Sequence, residues 1–318
     1  MFLRFTNKSS GTFRPYIVLG CLSLVILFLG SKGGKIGTLE GPDPYLDLYQ
    51  KRLDSLGYKL KEAISQVSKT RILAETHKVE MLKTIHEMRL CLKKQDFWLR
   101  YFDPVQYRKI NGSMQIEWET EAHEKWEKPY KRVGSGLALS EEYLYVAGNE
   151  CTSDSLSEFF KQALIGVQAF QQDSHLLQLR SPSNFFFANR LFLLNLAAIY
   201  STGFECPDTS RILPELKALL SGTRNIYKAF ELQFPQYKLP DSYLSLYDEL
   251  EHYVASASPY WSDFNHFEFI KDYVNPLYAQ NSRLINVHQF YSSSVVDFSI
   301  NNDAKSLFGK NLYRAQDV

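Results

Sequence analysis

The residues best suited to binding a metal are scattered along this sequence. It contains seven histidines, and none belongs to a His-x-x-x-His or Cys-x-x-Cys arrangement, the spacings that are typical of zinc sites. The densest local group of ligand side chains is His123 with Glu121 and Glu124. Because this group lies in a strongly charged stretch, we interpret it as a solvated loop. The sequence therefore predicts no metal ligands and no cofactor.

Short catalytic and nucleotide-binding motifs are also absent from the sequence. The segment Val133-Gly134-Ser135-Gly136 is too short for a phosphate-binding loop and lacks the Gly-x-Ser-x-Gly spacing of a serine nucleophile. We interpret it as a flexible lead into a helix. No Cys-x-x-Cys-His motif occurs, so the sequence offers no attachment site for c-type haem. We expect no catalytic residues, and a protein that is not an enzyme by itself.

Composition and charge narrow the class of protein. The chain has 318 residues, of which 45% are hydrophobic and 22% charged, as in ordinary globular proteins of one large domain or two modest ones. Its net charge is +1, without a clustered basic patch. Because phosphate neutralisation requires a basic excess, these properties argue against a nucleic-acid partner.

The first 31 residues have the pattern of a targeting segment. A basic region with Arg4, Lys8 and Arg14 precedes an apolar run. That run suits a signal sequence and is shorter than the roughly 20 residues of a membrane-spanning helix. We therefore predict a periplasmic protein, with 1-31 either cleaved as a signal peptide or retained as an anchor in the inner membrane. The Gly- and Pro-rich stretch 32-43 is expected to be a linker.

Three cysteines follow the apolar run, and in an oxidising compartment two of them could pair. Cys151 and Cys206 lie near predicted loops, whereas Cys91 lies within a helical pattern. We therefore expect a Cys151–Cys206 disulfide. Three separate, partly buried thiols are the alternative.

Apolar side chains recur at helical spacing through most of the chain. Between Leu46 and Val67 they alternate in steps of three and four residues, which predicts an amphipathic helix. Further helices are predicted at 72-102, 140-146, 155-171, 182-200, 213-220, 223-230, 240-256 and 262-278.

Two parts of the sequence lack this helical pattern. Asp103-Pro104 ends the second predicted helix, and a long irregular excursion is expected around 104-139. Only 292-299 alternates as a strand would. We predict an all-α fold in which a helical domain over 44-318 forms antiparallel helical bundles, most simply two packed bundles at about 44-200 and 208-318.

Four segments, in this order, resemble one known arrangement. They are Arg89 to Phe102 with Ile110-Asn111-Gly112; Gly136 to Tyr145; Ser201 to Pro207; and Phe264 to Leu277 with Ser306-Leu307-Phe308. Together they resemble the N-terminal, imelysin-like helical region of bacterial dihaem cytochrome c peroxidase-family proteins. The resemblance spans about residues 45-315.

The sequence departs from this family in several places. In the family, the region similar to Leu307-Phe308 is followed by a haem domain with Cys-x-x-Cys-His motifs, and here the sequence ends at Val318. The Gly-x-His-x-x-Glu iron-associated motif of the imelysin group is missing. The family's Lys-x-x-Glu is Lys93-x-x-Asp96 in this sequence, and its Gly-Phe-Asp-Ser-Pro is 203-207, Gly-Phe-Glu-Cys-Pro.

The resemblance implies a haem-free, non-catalytic envelope protein that is accessory to a separately encoded c-type haem peroxidase. Two alternatives stay open. One is an imelysin-like envelope protein that binds a metal or another ligand, and the other is a structural docking module.

The matched segments contain two sets of candidate residues. The charged set is a candidate for an interior polar cluster or a small-ligand site, and consists of Arg89, Lys93, Asp96 and Glu142. The second set is interpreted as structural, and consists of Asn111, Gly112, Gly136, Gly203, Phe204, Pro207, Asn275 and Pro276. We expect Asn111-Gly112 to form a turn with positive φ, Gly203 to cap a helix before Pro207, and Asn275-Pro276 to end a helix.

Overall fold

The computed structural model describes residues 43-68, 74-112, 134-147 and 151-291, together with 300, 301, 304, 306, 307 and 312. The predicted leader, the linker up to residue 42, the strand candidate 292-299 and the His123 group lie outside these residues. Among the described helices, none is both long enough and apolar enough to cross a membrane.

The predicted amphipathic helix near the start of the described chain is confirmed as α1, Pro44–Val67. Its apolar stripe, which includes Tyr49, Leu53, Leu56 and Leu60, is completely buried.

The other described residues are mostly helical as well. The other α-helices of six residues or more in the described ranges are α2 Glu75–Lys93, α3 Asp96–Phe102, α4 Pro104–Asn111, α5 Gly136–Val146, α6 Ser153–Phe170, α7 Asp173–Gln178, α8 Pro182–Asn195, α9 Ile212–Gln233, α10 Asp241–Ser256 and α11 Asn275–Val287. No strand forms within the described residues, where antiparallel bridges join Asn111 to Gly136 and Gly112 to Ser135. The all-α prediction is confirmed for this part of the chain.

The predicted irregular excursion begins with a helix, so its boundary at residue 104 was wrong. Asp103 caps α4, because its carboxylate accepts hydrogen bonds from the backbone N–H groups of Val105 and Gln106, both at 3.0 Å. Pro104 occupies the first turn, where the N–H group that proline lacks would have no helical partner. Asp103-Pro104 therefore separates α3 from α4 rather than ending helical structure.

The two helices predicted at 213-220 and 223-230 are one continuous helix, α9. Gly222 lies inside it where α9 approaches the turn between α2 and α3. A Cβ atom on Gly222 would stand 2.5 Å from the Cα atom of Lys94, so the glycine permits close packing and does not break the helix.

Asn275-Pro276 does not end a helix either. A π-helical segment, Phe269–Val274, leads directly into α11 at Asn275. Pro276 is tolerated because it lies in the first turn of α11. Asn275 also binds the C-terminal region, since its Oδ1 accepts the backbone N–H of Leu307 at 2.9 Å.

The described helices belong to one compact unit, Pro44–Val318, and share one buried hydrophobic cluster. Helix α9 packs against α1, α2 and α3, and also against α10. The predicted division into two bundles stays a prediction. For the site described next, the important consequence is that α9 faces the C-terminal half of α2.

Candidate functional site

A cluster of buried charged side chains lies where α2, α3 and α9 meet. We call this set the charged cluster: Arg89, Lys93, Asp96, Arg100, Glu141, Glu205 and Glu215. Their side chains are all between 0 and 12% exposed. Three of the four charged residues predicted from the sequence belong to it.

Arg89 is the centre of the charged cluster. Its Nε and Nη2 atoms donate to the two carboxylate oxygens of Glu215 at 2.6 and 3.0 Å. Nη1 donates to Oδ1 of Asn111 at 3.0 Å, and Nη2 also donates to the backbone carbonyl of Glu205 at 2.6 Å. Its Nε lies 3.3 Å from Oε2 of Glu141. One guanidinium group thus joins α2 to four other parts of the fold.

Lys93 and Arg100 hold the carboxylates on the other side of the charged cluster. Lys93 Nζ, at the end of α2, lies 3.3 Å from Oδ2 of Asp96, at the start of α3, and 3.8 Å from Oε2 of Glu205. Arg100 Nε lies 3.2 Å from Oδ1 of Asp96, and Arg100 Nη2 pairs with Glu205. Asp96 and Glu205 are therefore each shared by two cations.

Two tyrosine rings enclose these ion pairs. The guanidinium carbon of Arg100 lies 4.2 Å from the ring centre of Tyr107 and 5.2 Å from that of Tyr200. The hydroxyl of Tyr107 donates to Oδ2 of Asp96 at 3.0 Å. Burial raises the pKa of both tyrosines well above the ordinary value, so both rings are neutral. Tyr200 ends the π-helical segment Leu196–Tyr200 that continues α8.

Two carboxyl groups of the charged cluster, those of Glu205 and Glu215, are held in their ionised form. Burial by itself would raise the pKa of Glu205 and Glu215, but nearby cations outweigh it and the net shift is downward. Arg100 and Lys93 have this effect on Glu205, and Arg89 and Lys93 on Glu215. Counted by formal charge, the cluster has four carboxylates and three cationic side chains, the latter being Arg89, Lys93 and Arg100.

The glycines of the matched segments set the backbone around the charged cluster, though not all as predicted. Gly112 has a φ of −83°, so the predicted positive φ at Asn111-Gly112 was wrong. Gly112 is needed for space instead, since a Cβ there would lie 2.7 Å from the carbonyl oxygen of Arg108. The positive φ belongs to Gly136, at +61°, which pairs with Asn111 across an antiparallel bridge. This bridge holds the ends of α4 and α5 together.

The segment from Gly203 to Pro207 forms a turn that presents Glu205 to the charged cluster. Gly203 has a φ of +74°, three residues beyond the end of the π-helical segment at Tyr200. A left-handed residue just after a helix is what the sequence predicted for Gly203. Asp208, which follows Pro207, caps the next helical turn by accepting the backbone N–H of Ser210 at 2.9 Å.

A cavity of about 590 Å³ adjoins the charged cluster between α3, α4 and α8. Arg100, Tyr107, Asn111 and Glu205 form its polar side, and Phe204 belongs to its apolar side. The Nδ2 amide of Asn111, a residue only 1% exposed, has no hydrogen-bond partner among the described residues. The volume is within the range of small-molecule sites, and such sites combine apolar walls with a few polar groups.

Glu142 is the one predicted charged residue outside the charged cluster, and Glu141 takes its place. Glu141 is fully buried, whereas Glu142 is partly exposed. Successive residues of an α-helix point about 100° apart, so only one of two adjacent glutamates can face the interior. The pairing of two glutamates was visible in the sequence, but their orientation was not.

Sequence reasoning missed Arg100, Glu205 and Glu215. Arg100 follows Asp96 by four residues, a spacing that favours an ion pair on one face of a helix. Glu215 lies on the apolar stripe of α9, three residues after the buried Ile212 and four before the buried Leu219. A charge on an apolar stripe is the signal that could have indicated it.

The predicted Cys151–Cys206 disulfide is not formed, and both residues are free thiols. Cys151 is close to the charge of Lys78, near the start of α2, whereas Cys206 is close to that of Arg89. Lys78 and Arg89 lie roughly 16 Å apart along the helix axis, given its rise of about 1.5 Å per residue. The two sulfur atoms therefore belong to separate parts of the fold.

One group of three side chains in the described part of the chain has the donors and spacing of a metal site: His86, Glu141 and Asp208. It was not predicted, because its members come from three separate elements.

No protein-family model matches the chain, and no curated protein is similar enough to count as a match.

Proposed function

We propose that the chain is a haem-free, ligand-binding helical module that serves a c-type haem peroxidase. In this proposal it belongs with the imelysin-like helical regions of dihaem cytochrome c peroxidase-family proteins and has no catalytic role of its own. Its ligand would occupy the cavity beside the charged cluster.

One observation supports the proposal above the others. Three of the four segments that carry the family resemblance converge on this one site. The first contributes Arg89 and Asn111, the second Glu141, and the third Glu205. A buried network of this kind is costly in desolvation, and purely structural stability is obtained more cheaply with apolar side chains. Because this costly charged network lies beside a cavity, we infer a binding role for it.

The cavity wall indicates the chemistry of the ligand. The Nδ2 amide of Asn111, which has no partner in the described part of the chain, is a hydrogen-bond donor, and the exposed side chain of Arg108 adds a positive charge. Tyr101, Phe102 and Phe204 provide aromatic surface. We infer a small ligand with a flat apolar body and an acidic or carbonyl group.

Native mass spectrometry of the protein, purified without denaturation from its own cells, tests the ligand site. A bound small molecule should be present in wild type and absent from Asn195→Trp, which fills the cavity. Gln168→Trp is the matched control, because Gln168 is exposed on α6. Thermal unfolding must show that both variants are folded. Wild-type protein with no bound small molecule, or Asn195→Trp protein that keeps it, would contradict the ligand site.

The envelope location is part of the same proposal. It rests on the basic region and the apolar run of the first 31 residues. Cell fractionation tests it, with the expected result that the chain is found in the periplasm or the inner membrane. Recovery of the chain only in the cytoplasmic fraction, with its leader still attached, would contradict export.

A further inference from the structure

A group of three metal-ligand side chains, which shares Glu141 with the charged cluster, lies at the edge of that cluster. His86 on α2, Glu141 on α5 and Asp208 before α9 each offer one ligand atom, and the three atoms lie within 4.8 Å of one another. His86 Nε2 and Glu141 Oε1 are 3.1 Å apart. Two ligands of one metal ion stand about 3 to 3.4 Å apart when each is bound at about 2.1 Å. Only a small contraction would bring all three onto one ion.

Neighbouring groups fix the orientation of the two carboxylates. Oε2 of Glu141 faces Nε of Arg89 at 3.3 Å, which leaves Oε1 toward His86. Oδ1 of Asp208 accepts the backbone N–H of Ser210, and its other oxygen, Oδ2, lies 3.4 Å from the hydroxyl of Tyr145. Such outer contacts orient metal ligands and strengthen metal binding.

The group is accessible from solvent on one side and enclosed on the other. A cavity of about 350 Å³, lined in part by Leu90 and Arg211, reaches His86. The side chain of His86 is 18% exposed, whereas that of Glu141 is completely buried. An ion could therefore enter at His86 and be held by Glu141 from within.

Glu141 and Asp208 place two carboxylates at this edge, and the cavity that reaches it is also lined by Lys83 and Arg211. Arg89, the nearest cation to Glu141, is shared with Glu215, which it binds through two hydrogen bonds. Glu141 therefore shares this cation with Glu215, and Asp208 adds a second carboxylate to the group. One imidazole with two carboxylates is a donor set for Zn²⁺, Fe²⁺ or Mn²⁺ rather than for Cu⁺ or an iron–sulfur cluster, which prefer sulfur ligands.

We propose that His86, Glu141 and Asp208 bind one divalent transition-metal ion. This donor set is not a Gly-x-His-x-x-Glu pattern, because its three members come from two helices and a turn. None of the three residues lines the ligand cavity of the proposed function. The metal site therefore shares Glu141 with the charged cluster but does not need the ligand cavity, and the chain would bind the ion with or without a haem partner.

Isothermal titration of the tag-free, chelator-treated full chain with ZnCl₂ tests the site. Wild type should bind one Zn²⁺ per chain at this site, and His86→Ala and Asp208→Asn should each weaken that binding by at least about tenfold. His252→Ala is the matched control and should bind as wild type, because His252 is exposed on α10. Absence of Zn²⁺ binding by wild type, or unchanged binding by both ligand variants, would overturn the proposal.

A measurement on the wild-type chain covers the case in which a variant fails to fold. Diethyl pyrocarbonate labels exposed imidazoles, and peptide mass spectrometry locates the label. Added ZnCl₂ should reduce the labelling of His86 and leave that of His252 unchanged. Equal labelling of His86 with and without ZnCl₂ would also overturn the proposal.

Discussion

Arg89 and Glu215 form a buried ion pair with two hydrogen bonds, in which Nε and Nη2 of the arginine donate to separate carboxylate oxygens at 2.6 and 3.0 Å. The pair joins α2 to α9 across 126 residues of sequence. Burial by itself would lower the pKa of Arg89, but the carboxylates of Glu215 and Glu141 outweigh it and raise this pKa. Arg89 therefore stays charged, and the charged cluster depends on it.

Removal of Arg89 should strongly destabilise the fold. Arg89→Met leaves Glu215 and Glu141 buried without their main cation, and breaking a buried pair on one side costs about 3 to 5 kcal/mol. The free energy of unfolding in urea measures this cost. Lys59→Met is the control, since the Lys59–Glu87 pair is exposed and should contribute about 1 kcal/mol or less. If both substitutions lower the free energy of unfolding by the same amount, the charged cluster contributes little to the stability of the fold.

The stability of the chain should fall in acid because of Glu205 and Glu215. Their folded-state pKa values are lower than those of the unfolded chain. Such groups stabilise the fold above the unfolded pKa, and this contribution is lost as pH falls through the folded pKa. We expect the free energy of unfolding to decrease below about pH 4.5, the ordinary glutamate value. Glu215→Gln should make the free energy of unfolding fall less steeply with pH. If the variant has the same dependence on pH as wild type, Glu215 is not a cause of the acid destabilisation.

Gly136 and Gly57 should respond in opposite ways to the same substitution. Gly136→Ala places a Cβ on a left-handed residue and within 2.1 Å of the carbonyl oxygen of Ile110. We expect a loss of at least about 1 to 2 kcal/mol in the free energy of unfolding. Gly57→Ala, in the middle of α1 with the nearest atom at 3.6 Å, should stabilise by about 0.4 to 1 kcal/mol. Thermal and urea unfolding of both variants would check the two predictions. A Gly136→Ala variant as stable as wild type would contradict the structure at the bridge between Asn111 and Gly136.

Cys151 and Cys206 should remain reduced and react slowly in the folded chain. Burial raises the pKa of Cys206 to about 12 and also raises the pKa of Cys151, and thiolates are the reactive form. Ellman's reagent should therefore label these two thiols much more slowly before unfolding than after it. Dithiothreitol should leave the Tm unchanged. Detection of a Cys151–Cys206 cross-linked peptide by mass spectrometry would contradict this assignment.

The sequence was most informative where periodicity alone decides the outcome. The apolar stripe of α1 predicts its burial, whereas Arg89, Lys93 and Asp96 were recognised as one candidate cluster from the segments that carry the resemblance. The prolines of Asp103-Pro104 and Asn275-Pro276 did not show whether a helix ends or begins there, because proline both follows helices and occupies their first turn.

The rest of the site depends on contacts between distant segments, which a single sequence does not display. Whether Glu141 or Glu142 faces inward is set by the rotation of α5 about its axis. Gly136 and not Gly112 has the positive φ because the bridge to Asn111 fixes it. Glu215 meets Arg89 only because α9 packs against α2.

The most direct test of the central claim is the covalent haem content of the protein complex that contains this chain. A tagged chain would be purified from the envelope of its own cells after mild cross-linking, with an untagged strain as the control, and haem would be measured as the pyridine haemochrome. We predict c-type haem in near-equal amount to the chain, on a polypeptide with Cys-x-x-Cys-His motifs. A complex free of covalent haem, from cells that produce a c-type peroxidase under the same conditions, would contradict the proposed role.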